Sequence, residues 1–392
     1  MTNPLYIFKQ NKLYAKIDEG HYYLFCDDDF ALSDDDIFEI IDILPEGIDL
    51  EIMLHALRAE KSRDILPFLI NTIGDFHFSF SKDDKKAQKP ILSSTNLCDL
   101  DSSHAFPNIL KCHIDIPENA LIPSIYGFDI KRYQRLSISG YQHKLQVGII
   151  NNIMRQDYAD FILKPASQDW INLAVNEHLH TSFMREFGFE VPFNAIIYDE
   201  NLKKYHYIIK RFDIDSNANK LPQISLNALS KSYDKYSGSI ENLAKILKNN
   251  LNDSEKMQFV KFIYANALLH NSDLHKRNIS FVPIQNKLAL SPIYDIINTY
   301  PIRGLSNEQC VLFVKGKRNN IKISHFKDIA RILCLDFDEV RQNLAQILEI
   351  YAQKYPQYIE KIKETPSFYN SKEFRQKLKE SYDKCLRINA LK

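Results

Sequence analysis

Short apolar runs rich in β-branched and aromatic residues dominate the chain up to about residue 212, and a helical recurrence of apolar positions dominates from about residue 222 onward. Residues 4 to 80 open with the strand-like runs LYIF and HYYLF, then carry helix-like segments at IFEIIDIL and LEIMLHAL. The charged, apolar-poor stretch SKDDKKAQKPILSSTN, residues 81 to 96, reads as a linker. From 105 to 212 the runs KLQVGII, DFILK, NAIIYD and YHYIIKRF predict strands. One helix interrupts them, WINLAVNEHLHTSFMREF, with Val175, Leu179, Phe183 and Phe187 on one stripe and Gly188 placed to cap its end. The pattern predicts an α+β fold of two lobes, with domains at 1–95, 96–213 and 214–392.

The length of 392 residues agrees with two or three packed units. Fifty Lys and Arg balance fifty Asp and Glu, which argues against a nucleic-acid coat or a polybasic membrane binder. No run reaches the length of a spanning helix and the N-terminus lacks a signal-peptide pattern, so a cytoplasmic protein is expected, with export into a host cell left open. The six cysteines are scattered without C-x-x-C spacing, as expected of reduced thiols. Cys98, His104, Cys112 and His113 match no standard zinc spacing, and the acidic runs at Asp27–Asp29 and Asp34–Asp36 lack the glycine of a calcium loop. Glycine is scarce: there are ten, and the closest two, Gly140 and Gly148, exclude the glycine-repeat phosphate loops.

The chemistry concentrates in residues 253 to 296. Asp253 is positioned to cap a helix whose Met257, Val260, Ile263, Tyr264, Ala267 and Leu268 form a core stripe, ending near His270. The polar loop HNSDLHKRN follows, then the strand runs ISFV and LALS, then Asp295. Kinase catalytic loops use Asp-x-x-x-x-Asn, where the Asp accepts a hydroxyl proton and the Asn holds magnesium, and a metal-binding Asp follows a hairpin. Asp273, Asn278 and Asp295 stand in those places, the alternative being a loop whose Asx side chains bond to their own backbone. Upstream, Lys164 ends DFILK and Glu177 lies on the following helix, suited to pair with it. An exposed edge charge is the alternative for Lys164. LSISGYQHK, residues 136 to 144, could cradle phosphate with backbone N–H groups, a plain β-turn being the alternative.

Taken in order, LSISGYQHK, FILKP, NEHLHTSFMREFGFEVP, IKRFD, HNSDLHKRN and SPIYDI resemble the motifs of the HipA family of bacterial serine/threonine kinases of toxin–antitoxin systems. The segment IDILPEG with HALRAEKSRDILPFLINTIGD resembles the small N-terminal subdomain of full-length members, ahead of a β-rich ATP-binding lobe and a helical catalytic lobe. The resemblance implies Asp273 as general base with His275 beside it, Asn278 and Asp295 as Mg2+ ligands, and Lys164 on the ATP phosphates, paired with Glu177. It implies Ser139, Gly140, Gln142 and Lys144 in the phosphate loop, adenine on the hinge at Lys210, Arg211 and Phe212, and autophosphorylation at Ser137. Implied cofactors are ATP and Mg2+. Implied partners are a protein substrate, with aminoacyl-tRNA synthetases as precedent, and a HipB-like helix-turn-helix antitoxin that would bring DNA only indirectly. Other acceptors, lipid or small molecule, and a pseudokinase that docks an antitoxin are the competing readings. Leu274 replaces the usual small residue after the catalytic Asp, and is expected to narrow access for the acceptor hydroxyl. His143 replaces an acidic loop position and is expected to alter charge near the phosphates, while IGDFHFSF replaces a glycine-rich end of the N-terminal subdomain.

Overall fold

The computed structural model describes residues 3–26, 29–33, 36–69, 72–84, 106–122, 142–156, 159–167, 170, 172–368 and 370–389. The chain divides into two compact units. The first comprises Met1–Asn96, Cys112–Pro165 and Arg211–Ile224; the second comprises Leu97–Lys111, Ala166–Lys210 and Ser225–Lys392.

In the first unit, β1 (Leu5–Lys9), β2 (Lys12–Asp18), β3 (His21–Cys26), β4 (Asp29–Leu32) and β5 (Phe76–Ser79) form an antiparallel sheet in the order β4-β3-β2-β1-β5. Leu5, Ile7, Ala15, Tyr22 and Phe76 point to one face of it. There they meet Ile40 of helix α1 (Phe38–Asp42), Met53 of α2 (Gly47–Leu57) and Ile65 and Leu66 of a 3-10 turn. Alternation with a period of two puts these side chains on a single face, which the helices cover.

The same unit holds β6 (His113–Ile114), the short helix α3 (Glu118–Leu121), β7 (Leu145–Ile150), β8 (Ile153–Arg155) and β9 (Phe161–Lys164). β7 is antiparallel to both β8 and β9, and β6 is parallel to β8. β7 is almost wholly buried, which explains why its sequence LQVGII is mostly apolar on both faces, with Gln146 the one polar side chain. The segment after residue 210 is pinned by a buried ion pair. Arg211 reaches Asp213 through Nε (2.9 Å) and Nη2 (2.6 Å), Asp213 accepts from the Gly74 N–H at 3.1 Å, and Arg211 Nη2 also donates to the Thr72 carbonyl.

The second unit contains α4 (Leu173–Phe183), the antiparallel pair β10 (Asn194–Asp199) and β11 (Lys204–Lys210), and helices that include α5 (Leu226–Leu229) and α6 (Ile240–Leu247), after the two-residue strand β12 (Ile224–Ser225). α7 (Asp253–Leu268) leads into the polar loop and the hairpin of β13 (Ser280–Ile284) and β14 (Lys287–Leu290). α8 (Lys327–Leu333), α9 (Phe337–Lys361) and α10 (Ser371–Asn389) complete it.

The expected helix from Trp170 to Phe187 is an α-helix only from Leu173 to Phe183, then a 3-10 turn closed by Gly188 at φ +84°. Every residue of α4 is buried, polar ones included, so it runs through the interior and its apolar stripe is only one of its packed faces. The cap of α7 is Asn252, whose side chain accepts from the Glu255 N–H at 2.9 Å; Asp253 is the first helical residue. The carboxyl-terminal basic residues are partly neutralised within the same region, with Lys363, Arg375 and Lys379 gathered on the Glu360 carboxylate. No helix among the described residues is long and apolar enough to cross a membrane.

Candidate active site

α7 delivers the chain to the polar loop in one direction because its last turn is sealed in the core, and His270 then turns it sharply with φ +53°. From there the loop is held by its own backbone and by Asx side chains. Asn271 Oδ1 accepts from the Asp273 N–H, the His275 N–H donates to the Asp273 carbonyl at 2.7 Å, and the Asn278 N–H donates to His275 O. Asn278 Nδ2 reaches back to the Asp273 carbonyl at 3.3 Å, so the two residues five apart in sequence are neighbours in space. Lys276 is buried, with Nζ on Ser232 Oγ at 2.7 Å and its N–H on the Lys235 carbonyl.

The hairpin returns the chain to the same place. Tyr294 Oη donates to the carbonyl of Arg277 at 3.2 Å and bonds with Ser280 Oγ, so the residues just before Asp295 and just before Asn278 are joined. Asp295 has φ +60°, a left-handed conformation uncommon outside glycine and tolerated by Asp and Asn. A second latch lies three residues on: Asn176 of α4 accepts the Asn298 N–H at 2.9 Å and donates to the Asn298 carbonyl at 2.8 Å. Asn298 in turn bonds to Tyr355 of α9 and to Ser381 of α10, and Tyr355 Oη meets His180 at 2.7 Å. Thr299 closes the circuit, bonding the His270 carbonyl through both N and Oγ1 and sharing a 2.7 Å hydrogen bond with Ser272 Oγ.

Glu177 follows Asn176 and is 1% exposed. Burial raises the Tyr207 hydroxyl pKa well above its ordinary value, and the negative charges of Glu177 and Asp295 add to the shift. Those two carboxylates therefore act on one buried tyrosine from α4 and from the Asp295 turn. Asp273, Asn278, Asp295 and Glu177 all belong to the second unit. Among the described residues no three His, Cys, Asp or Glu side chains cluster, and the expected magnesium ligands Asn278 and Asp295 would bring one amide and one carboxylate. That small set suits magnesium, which keeps several waters and takes one or two carboxylates.

Lys164, 4% exposed at the end of β9, and Lys144, ahead of β7, belong to the first unit, as do Gln142 and the hinge residues Arg211 and Phe212. Lys210 is the last residue of β11. Two hinge N–H groups are already engaged, Lys210 on the Phe193 carbonyl and Arg211 on the Asp160 carbonyl, both at 2.8 Å. Ser137, Ser139 and Gly140 lie outside the described residues, as do Cys98 and His104 of the weak zinc candidate.

A family model described as the HipA-like C-terminal domain matches residues 136–359, more than half of the chain. The chain belongs to the HipA-like family. A Haemophilus influenzae protein described as "Putative kinase" is 30% identical over 266 residues, 61% of this chain and 76% of that protein. Toxin YjjJ of Escherichia coli is 26% identical over 133 residues, 33% of this chain and 30% of its own length. The HipA of a Shewanella oneidensis toxin–antitoxin system, solved with HipB and its operator DNA, superimposes with a TM-score of 0.71 at 15% identity, covering 98% of this chain and 97% of that one. The α+β, HipA-like fold expected from the sequence is the fold found.

Within this HipA-like chain the two departures have positions of their own. Leu274 is 6% exposed and faces Ile263, Cys310, Leu312 and Val314, so it anchors the loop in the core instead of narrowing an entrance. His143 is buried, with Nδ1 on Asp49 Oδ1 at 2.6 Å and Nε2 on the Ala120 carbonyl at 2.8 Å. Burial alone would lower its pKa, but the Asp49 charge and hydrogen bonds outweigh burial and raise it. The ring therefore ties the strand entry to α2 and α3. The His275 ring is 5% exposed and packs edge-on against Tyr236 at 5.1 Å, so packing is what its position displays. Sequence reasoning missed Asn176, Asn298, Thr299 and Tyr355. Asn176, and the adjacent pair Asn298 and Thr299, stand out only as polar residues among apolar neighbours, which does not say that they meet each other or Tyr355.

Proposed function

We propose that this protein is a HipA-like serine/threonine kinase that transfers the γ-phosphate of ATP to a protein hydroxyl. The observation that carries the reading is the joining of Asp273, Asn278 and Asp295 through the Asn278–Asp273 and Tyr294–Arg277 hydrogen bonds. Phosphoryl transfer asks a protein for positioning and charge neutralisation more than for covalent work, and this is a rigid, cross-braced arrangement of that kind.

In this reading Asp273 orients the incoming hydroxyl and takes its proton. Asn278 and Asp295 hold Mg2+, which when bound neutralises charge on the phosphates. Lys164 pairs with Glu177 and draws on the phosphates, Ser139, Gly140, Gln142 and Lys144 form the phosphate loop, and the segment at Lys210, Arg211 and Phe212 carries adenine. With the Lys210 and Arg211 N–H groups already donating, adenine would have to use other polar atoms of that segment. Ser137 is the autophosphorylation site, where a phosphate of charge about −1.5 to −2 would repel nucleotide phosphates. The family and the Shewanella neighbour support a growth-inhibiting toxin held by a HipB-like helix-turn-helix antitoxin, with DNA reached only through it. An aminoacyl-tRNA synthetase is the proposed class of substrate.

The test is transfer from radiolabelled ATP by wild type, Asp273→Ala and Asp295→Asn. Asparagine keeps the size and tolerates the left-handed backbone at 295, so loss of transfer there isolates the carboxylate. Transfer at the wild-type rate in either variant would overturn the assignment. Mass spectrometry of wild type after incubation with Mg–ATP should find one phosphate, on Ser137.

A further inference from the structure

The second unit holds an open cleft of about 660 Å3 that none of the residues assigned to phosphate transfer lines. Part of its lining is apolar, Trp170, Leu305 and Phe374 among it, and Trp170 and Leu305 pack on a buried cluster of Leu173, Ile297 and Ile302. Trp170 is the single tryptophan of the chain. Amides and charges line the rest, Asn172, Asn307 and Asn370 together with Arg303, Glu373 and Lys377. Asn172 is the N-cap residue of α4, yet its side chain makes no capping bond, and its buried Oδ1 has no hydrogen-bond partner.

The place of the cleft is set by its connection to the catalytic loop. Ser272, directly before Asp273, donates from Oγ to the carbonyl of Ser306 at 3.1 Å, and Ser306 lies between the two lining residues Leu305 and Asn307. With about 3.8 Å per Cα step, the cleft wall is roughly 10–15 Å from Asp273. An extended chain covers that span in about three to five residues.

We infer that this cleft is the specificity pocket for the acceptor polypeptide, taking a bulky apolar side chain that lies about three to five residues from the phosphorylated hydroxyl. The inference rests on the kinase reading above. An extended peptide matches both elements: its apolar side chain lies between Trp170 and Phe374, and its backbone groups meet the exposed amides of Asn307 and Asn370. A lipid acceptor would leave the rim amides without backbone partners, and a small hydroxyl compound at Asp273 would not reach the cleft.

The experiment is phosphate incorporation from Mg–ATP into an array of serine-containing peptides in which each flanking position is in turn Ala, Leu, Phe, Lys or Glu. In wild type, Leu or Phe at one position three to five residues from the serine should raise labelling tenfold or more over Ala. Leu305→Glu should abolish that preference and transfer it to Lys at the same position, a change that mere destabilisation does not produce. Asn307→Lys, at an exposed rim residue, keeps the test open should the first variant not fold. It should disfavour Lys and favour Glu beside the apolar position. Labelling with no apolar position preferred, or a preference unchanged in both variants, overturns the inference and leaves the kinase reading standing. Absence of labelling of any peptide and of the protein itself overturns both.

Discussion

Asn176→Ala removes the latch that fixes the turn carrying Asp295. The side chain makes two hydrogen bonds, to the N–H and the carbonyl of Asn298, and both residues are fully buried. Alanine leaves those two backbone groups without their partners. At about 1–3 kcal/mol for each buried polar group left unsatisfied, the local cost is about 2–6 kcal/mol. That is a large share of the roughly 5–15 kcal/mol that stabilises a domain, and it falls on one segment, so local opening should precede global unfolding. Tenfold per 1.4 kcal/mol converts the lower limit to about a 30-fold loss of protection. The assay is hydrogen–deuterium exchange of the peptide spanning residues 296–300, with urea unfolding of the whole chain in parallel. Phosphate transfer should fall with the protection, since Asp295 is three residues from the released group. Exchange of the Asn298 amide within threefold of wild type would refute the argument that Asn176 holds this turn.

Breaking the His143–Asp49 pair by His143→Ala should cost the first unit about 3–5 kcal/mol, because a buried carboxylate loses its partner, whereas adding Asp49→Asn should recover part of the loss. The His143 pKa is raised in the folded protein, so its contribution is complete below the ordinary value of 6.5 and disappears as pH rises through the folded pKa; a His143→Gln variant should lack that slope in chemical unfolding. His178 behaves with the opposite sign. Its Nε2 accepts from the Asn108 N–H, and burial lowers its pKa to about 4. Stability of the second unit is therefore full above pH 6.5 and declines as pH falls toward 4, and His178→Gln should flatten the melting-temperature profile in that window; identical profiles would count against it. Arg211→Met should destabilise the first unit by about 3–5 kcal/mol by leaving Asp213 buried and unpaired, and urea unfolding of the double variant Arg211→Met, Asp213→Leu should recover much of it.

Much of the architecture is legible in local pattern. Short runs rich in aromatic and β-branched residues such as LYIF and HYYLF favour strands, and the recurrence of apolar positions in DSEKMQFVKFIYANAL favours a helix that buries them on its packed faces. The order of Asp273, Asn278, hairpin and Asp295 is equally local, since the hairpin pairing of Phe281 with Leu290 turns the chain back toward the loop. Other properties arise only when distant segments meet. Nothing near Asn176 in sequence announces that it will bond the backbone of Asn298, 122 residues away. His143 looked like a charge beside phosphates until Asp49 and Ala120, 94 and 23 residues distant, closed around it. Leu274 looked like an obstruction until its environment proved to be the core. Periodicity and residue type specify the elements, their order and the chemical groups offered, so these can be read directly along the chain. Which polar groups are buried, and with which partners, was decided by the tertiary structure alone, because desolvation and hydrogen bonding depend on distances that no local pattern encodes.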